Sequence, residues 1–187
     1  MKIILLRHEE RDINNPLFFS NLTNEGMIKS KLLVKELNKY NINTIYTSPF
    51  LRVLQTIYPY CKDNNMNVNV NNLLYESMDD IKFNDNNSHF NYKDLPNKYI
   101  EIINTIYSNN KLYKIKRNES FIDIQNRVKP FINEILINNE DILIVSHLTI
   151  LNAIHSFFNN NINNEYKQSM GSYIIIEVKN DKNIFTI

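Results

Sequence analysis

Four short stretches of this chain hold residues whose types could act together on an anion. Arg7-His8 ends the apolar run Ile3 to Leu6, and a guanidinium beside an imidazole suits an anion site that also holds a nucleophile or acid-base group. Ser48 to Arg52 follows the β-prone Thr-Ile-Tyr-Thr of 44–47. Glu76 follows a stretch in which Val68 and Val70 alternate with asparagine, and Ser146-His147 follows Asp-Ile-Leu-Ile-Val. Each group stands just beyond a segment that reads as a strand. If those strands are parallel, their carboxyl ends share one edge of a sheet, where open α/β folds bind ligands. The pocket would then hold two arginines (Arg7, Arg52), two histidines (His8, His147) and one carboxylate (Glu76). That set fits phosphoryl chemistry, because guanidinium groups take phosphate oxygens in pairs and stabilise the charge spread over the transferring group.

The elements that must position these groups alternate along the chain. Ile3 to Leu6 reads as a strand buried on both faces. A loop from Asp12 to Asn21 contains Pro16, and Thr23 then caps a helix to about Tyr40 with an apolar stripe of Ile28, Leu32, Leu33 and Leu37. Ser48-Pro49 reads as the start of a second helix, with Ser at the cap, Pro at the first helical position, and Val53, Leu54, Ile57 and Tyr60 inward. Asn67 to Leu74 reads as a third strand ending at Tyr75-Glu76. The polar stretch at about 77–97 has no clear period and reads as a lid or insert. Tyr99 to Tyr107 looks helical, and Glu119 to Ile137 more so, with Ile124, Val128, Phe131, Ile132 and Ile135 in its stripe. A buried strand over Asp141 to Val145, a helix to about Phe158 and a hairpin across Asn180-Asp181 complete the chain. This order predicts an α/β three-layer sandwich, a mostly parallel central sheet with helices on both faces, as a single domain over residues 1–187.

Composition narrows the function classes. A net charge of +1 argues against a general nucleic-acid or membrane-surface binder. Cys61 is the lone cysteine, so no intrachain disulfide forms, and no apolar run is long enough for a signal peptide or a membrane span. A cytoplasmic location is the simplest expectation. The histidines lack His-Glu-x-x-His spacing and there is no second cysteine, which disfavours a metal site. Cys61 does not fit a tyrosine-phosphatase nucleophile, since the arginine needed six positions on is Asn67. Two glycines are too few for a dinucleotide fingerprint or a Gly-rich phosphate loop. His89, in the polar insert, and His155, on a helix flank, read as solvated or core-edge residues.

Taken together the motifs resemble the histidine phosphatase superfamily, also called phosphoglycerate mutase-like. Leu6-Arg7-His8 is similar to its opening Leu-Arg-His, and Leu22-Thr23 with Gly26 to its Leu-Thr-x-x-Gly helix start. Ser48 to Thr56 resembles its Ser-x-x-x-Arg-x-x-Gln-Thr segment, and Leu74-Tyr75-Glu76 its Leu-x-Glu. Glu119-Ser120 with Asp123 and Arg127 resembles Glu-Ser-x-x-Asp-x-x-x-Arg, and Val145-Ser146-His147 the second-histidine motif. The resemblance implies a metal-independent phosphatase, with no cofactor, in which His8 is the nucleophile and forms a phosphohistidine. It further implies that Arg7, Arg52 and His147 bind the phosphoryl oxygens, with Arg11 and Asn14 as additional contacts, and that Glu76 protonates the leaving oxygen. The arginines and His147 would do the neutralisation that a cation does elsewhere. The expected partner is a small phosphorylated substrate or a phosphoprotein, and the sequence does not give the oligomeric state.

The chain departs from the family pattern in places. Glu9 stands where the family has glycine, and a carboxylate there is expected to point away from phosphate. Leu148 follows the second histidine, whereas the acid phosphatase branch has Asp; the chain therefore resembles the other branch. The family's Gly-containing stretch after the Leu-x-Glu is Ser77-Met78-Asp79-Asp80 here, which makes Asp79 and Asp80 rival proton donors. The absence of the glycolytic mutases' extra insert favours phosphatase over phosphomutase. A catalytically weak phospho-ligand binding module is the alternative from another class. Glu119, Ser120, Asp123 and Arg127 are read most simply as helix capping and packing.

Overall fold

The structure is a computed structural model that describes residues 1–14, 18–78, 94–109, 116–159, 168–178 and 184–186. Six strands form one sheet in the order β3-β2-β4-β1-β5-β6. They are β1 Lys2–Arg7, β2 Thr44–Thr47, β3 Val68–Val70, β4 Ile142–Ser146, β5 Tyr173–Val178 and β6 Ile184–Thr186. The first four run parallel, and β5 and β6 form the expected antiparallel hairpin against β1.

The period-2 alternation of β1 and β4 divides the core. Ile4, Leu6, Leu143 and Val145 face the helices α1 (Asn24–Leu37) and α2 (Leu51–Asn64). Ile3, Leu5, Ile142 and Ile144 face α5 (Phe121–Asn138) and α6 (Leu148–Ser156). Both faces of the central strands are thus covered, the arrangement required of a parallel sheet. Among the described residues between β3 and α5 are two short α-helices, α3 (Asn97–Ile100) and α4 (Thr105–Asn109). The helix expected over Tyr99 to Tyr107 is therefore broken, at the point where Ile103 bridges to Val68 beside the edge strand.

Other boundaries differ from expectation for identifiable reasons. The buried face of α1 is Gly26, Ser30, Leu33 and Leu37, whereas Ile28 and Leu32 are exposed. The helix lies so close to the Glu10 backbone that a β-carbon at Gly26 would collide with the Glu10 carbonyl, so small residues face inward. The buried Ser30 hydroxyl is satisfied by Met27 O at 2.8 Å. The N-cap of α2 is Phe50 rather than Ser48, whose hydroxyl is engaged elsewhere. The third strand stops at Val70 because the Asn71 carboxamide accepts from the Leu73 amide at 3.0 Å and turns the chain into a 3-10 turn, Asn72–Leu74. Of the insert at 77–97, residues 79–93 lie outside the described residues, and with them Asp79, Asp80 and His89.

Asparagine takes over work usually done by glycine. Asn65, Asn118 and Asn139 adopt positive φ, and Asn65 and Asn139 close α2 and α5 in the left-handed conformation. The two glycines are kept where a side chain cannot fit, and both abut the segment that follows His8.

Candidate active site

Strand register builds the pocket. Arg7 pairs with Ser146, and Thr47 pairs with Val145, so the ends of β1, β2 and β4 stand level. The ladder continues one step further: His8 N–H donates to Ser146 O at 3.0 Å and Ser48 N–H to Val145 O at 3.0 Å. His8 and His147 consequently meet edge to face, with ring centroids 5.2 Å apart.

The two histidines are held in defined tautomers by their partners. His8 Nδ1 lies 2.7 Å from the Glu9 carbonyl, which can only accept, so Nδ1 carries the proton and the Nε2 lone pair is free. His147 Nδ1 faces Glu76 Oε2 at 3.1 Å while its Nε2 faces the Ser48 hydroxyl at 2.8 Å. A carboxylate accepts, so Nδ1 donates to Glu76 and Ser48 donates to Nε2. Burial lowers the His8 pKa well below 6.5, with the charges of Arg52 and His147 adding to the effect. Burial likewise brings His147 down to about 4, against the opposing pull of Glu76. Both rings are neutral at pH 7. His147 also forms the N-cap of α6, whose amino end favours an anion beside it.

The cations are deeply set. Arg52 is fully buried, packs its guanidinium 4.4 Å over the Phe50 ring, and reaches Glu76 Oε2 at 3.4 Å through Nη2. Burial lowers its pKa to about 10, with Glu76 opposing, so it stays charged. The penalty of an arginine near a helix start is relieved by this carboxylate and by any anion in the pocket. Arg7 Nη1 donates to Gln168 O at 2.6 Å, and its buried Nε has no hydrogen-bond partner among the described residues. A buried guanidinium N–H left without an acceptor beside a neutral histidine is a place for a ligand oxygen. Gln168 is fixed in turn by Leu5 O at 2.9 Å and Ser172 O at 2.5 Å.

Glu76 completes the pocket from the far side. Burial pushes its carboxyl up, but His147 and Arg52, with His8 behind them, outweigh that and hold it below the ordinary carboxylate range. Arg11 is half-buried, donates to Asp12 O at 3.2 Å, and lies near enough to lower the pKa values of Arg7, Arg52 and His147. Asn14 sits on an exposed turn with its amide N–H on Asp12 Oδ1 at 2.9 Å, and none of its described contacts reaches the pocket. One ligand atom each from His8, Glu76 and His147 lie within 4.8 Å of one another. That is loose for zinc, whose ligands at about 2.0–2.2 Å stand roughly 3.4 Å apart, and the adjacent guanidiniums oppose a cation. The arrangement suits a tetrahedral oxyanion: cationic and neutral donors surround one nucleophilic nitrogen, with one carboxylate opposite.

A model of the histidine phosphatase superfamily (branch 1) matches residues 3–186. The chain belongs to that superfamily. Phosphoserine phosphatase 1 of Hydrogenobacter thermophilus is 26% identical over 162 residues, covering 83% of this chain and 74% of its own. The alpha-ribazole phosphatase of Shigella flexneri has the same fold, with a TM-score of 0.70 at 21% identity, over 100% of this chain and 95% of that one. So does a mycobacterial glucosyl-3-phosphoglycerate phosphatase solved with VO3, with a TM-score of 0.72 at 15% identity, over 99% and 96% of the two chains.

Two features of this histidine phosphatase add detail to the sequence reading. Glu9, in place of the family glycine, is buried against Gly171, where a β-carbon would collide with its carboxylate. Burial raises its carboxyl pKa; the Glu10 backbone and the charge of Lys29 oppose the rise, and the carboxylates of Glu10 and Glu25 add to it. The close approach also lets Gly171 N–H reach the Arg7 and His8 carbonyls, both at 3.2 Å. The second feature is Ser48, which fixes His147 rather than capping a helix. Its advance signals were its place after a strand, beside Arg52, and its position at the head of the Ser-x-x-x-Arg-x-x-Gln-Thr resemblance.

Proposed function

We propose that this protein is a phosphatase that hydrolyses a phosphate monoester through a phosphohistidine on His8. The observation that carries the reading is the His8 tautomer: Nδ1 is tied to the Glu9 carbonyl and Nε2 is left neutral and unprotonated among Arg7, Arg52 and His147. His8 Nε2 attacks phosphorus, the bond to the ester oxygen breaks, and Glu76 delivers a proton to the departing alcohol. Arg7, Arg52, Arg11 and His147 hold the non-bridging oxygens, and Asn14 is a further candidate contact. Glu76, now a carboxylate, takes a proton from water as the water oxygen attacks the phosphohistidine, releasing inorganic phosphate and restoring His8.

Glu76 is ionised when only protein groups surround it, yet it must begin the first step protonated. Substrate supplies the change. A phosphate that takes over Arg52 and His147 removes the partners that hold the carboxyl down and sets negative charge beside it. Both effects raise its pKa, so the proton of a phosphate monoanion can pass to Glu76.

The named relatives act on phosphoserine, alpha-ribazole phosphate and glucosyl-3-phosphoglycerate, which share little beyond a phosphate ester on a small molecule. A small phosphorylated metabolite is therefore the proposed substrate class. Among the described residues no helix is long and apolar enough to cross a membrane. Cys61 is a buried free thiol, which suits the reducing cytoplasm.

The test is phosphate release from a small aryl phosphate by wild type and His8→Ala, with acid-quench trapping of labelled protein. Release lost in the variant, with an acid-labile label on wild type only, is the expected result. Folded wild-type protein that binds phosphate esters but neither releases phosphate nor takes up label would instead be a binding module. Label moving between positions of one substrate, rather than phosphate entering water, would make it a phosphomutase.

A further inference from the structure

The Glu76 side chain hangs from the stretch that follows the 3-10 turn, and what holds that stretch comes from helix α5 and the end of β4. Arg127 Nη1 donates to Leu73 O at 2.5 Å and to Tyr75 O at 3.2 Å. The carbonyl between them, Leu74 O, accepts from the Ser146 hydroxyl at 2.8 Å. All three carbonyls leading into Glu76 are therefore bound by side chains from distant parts of the chain. Arg127 is itself locked. Its Nε and Nη2 make paired bonds, both 2.8 Å, to the two oxygens of Glu119, and its guanidinium stacks 3.6 Å over the Tyr75 ring. The Arg127 and Glu119 side chains are 9% and 2% exposed, so little water competes for this fork. The Tyr75 hydroxyl is fixed in turn by the Lys116 amide at 3.0 Å.

We infer that Arg127 is a positioning residue for Glu76: clamped by Glu119, it sets where the proton donor stands over the leaving oxygen. The inference rests on the reading of Glu76 as that donor. It gives the Glu119…Arg127 pair a role beyond capping and packing, since the helix cap is supplied separately by Ser120 and Asp123. Arg127 makes no described contact with His8, Arg7 or Arg52. Its removal should therefore leave phosphate binding and the His8 nucleophile intact and impair only the two proton transfers of Glu76, to the leaving alcohol and from the attacking water.

The readout that separates positioning from general support is leaving-group dependence. An activated aryl phosphate expels a phenolate that needs no proton, whereas an alkyl phosphate must be protonated as its bond breaks. The kcat/KM for both, which reports the steps up to departure of the alcohol and not the later attack of water, should be measured for wild type, Glu76→Gln, Arg127→Met, Arg127→Lys and Glu119→Gln, with inhibition by inorganic phosphate as the binding control. Glu76→Gln should lose far more on the alkyl than on the aryl ester. Arg127→Met should show the same selectivity, with kcat/KM on the alkyl ester down on the order of 10–10²-fold, the cost of a misplaced group of about 1 Å. Aryl kcat/KM and phosphate inhibition should change little. Arg127→Lys should recover part of the loss, and Glu119→Gln, the milder change should Arg127→Met not fold, should show a smaller selective loss. A parallel loss on both esters, or none, with Glu76→Gln selective, would overturn the positioning role alone. A non-selective Glu76→Gln would overturn the donor assignment and the positioning role with it.

Discussion

The pocket has two sides that are built differently. The phosphate side consists of strand ends: Arg7-His8, Ser48 to Arg52 and Ser146-His147 are brought level by the register of β1, β2 and β4, and backbone bonds fix each of them. The acid side consists of Glu76 alone, on a chain held by the side chains of Arg127 and Ser146 beyond the 3-10 turn. The first is part of the hydrogen-bonded sheet and cannot shift without breaking ladder bonds. The second depends on a few side-chain contacts, from Arg127 of α5 and Ser146 of β4, and can shift without unfolding anything. Substitutions on the phosphate side should therefore depress every substrate alike, and those on the acid side should discriminate by leaving group.

The largest effect is expected at the nucleophile. His8→Ala should cut turnover of any ester by roughly 10⁴-fold or more, because no other group is placed to attack. Its far-UV circular dichroism and its binding of inorganic phosphate should remain. Loss of binding together with turnover would show the two sides to be less separate than their contacts suggest. Arg52→Ala comes next, at about 10²–10³-fold, the usual cost of one donor to a developing oxyanion. This loss should be equal for aryl and alkyl esters, since the residue serves the phosphoryl group. A loss confined to alkyl esters would instead tie Arg52 to its other partner, Glu76, 3.4 Å away. Arg52→Lys should recover little, because a single ammonium cannot reproduce the guanidinium fork.

How much of each side was legible in the sequence follows from the same difference. Strand ends announce themselves locally: an apolar run stops, a charged or imidazole residue follows, and the parallel sheet brings the ends together. Glu76 was also visible, through Leu74-Tyr75-Glu76, but its support was misread as a strand running to Leu74. Asn71 ends the strand earlier by a side-chain bond to its own backbone, which no hydropathy pattern records. Arg127 was legible as part of the Glu-Ser-x-x-Asp-x-x-x-Arg resemblance but read only as capping and packing, because its partners lie eight residues upstream and more than fifty away along the chain. The stripe of α1 failed for another reason. Where two segments approach closely, as α1 does at Glu10, the inward positions are chosen for smallness, so Gly26 and Ser30 face in while Ile28 and Leu32 face out.

Titration gives a subtler contrast. His147 is held at about 4 and His8 well below 6.5, so both stay neutral as pH falls through the range where an ordinary histidine protonates. The unfolded chain takes up those protons near pH 6.5 and the folded chain does not. Folding stability contributed by these buried rings is therefore complete above pH 6.5 and is lost as pH falls from there toward about 4. The nucleophile remains neutral over the same interval. Chemical denaturation at stepped pH should show the midpoint falling over that window while kcat/KM for an aryl phosphate shows no acid limb near 6.5. An acid limb at 6.5 would mean that His8 titrates normally and that its burial does not govern its charge.

The smallest effect tests how the phosphate side tolerates its odd residue. Gly171 has φ 71, and a β-carbon there would run into the Glu9 carboxylate. Gly171→Ala combines two costs: the left-handed backbone, about 1–2 kcal/mol for a residue with a side chain, and the collision with Glu9. Replacing Glu9 by glycine removes the collision and leaves the backbone cost. Gly171→Ala should lower the denaturation midpoint and, by displacing the Gly171 amide from the Arg7 and His8 carbonyls, reduce turnover of aryl and alkyl esters alike. The double variant Glu9→Gly with Gly171→Ala should be more stable than Gly171→Ala alone, although each substitution by itself destabilises. Such coupling, measured as a double-mutant cycle, is the signature of two groups in direct contact. Additive losses would mean that the Glu9 side chain can swing clear of Gly171, and its carboxylate would then be free to enter the pocket it is here kept out of.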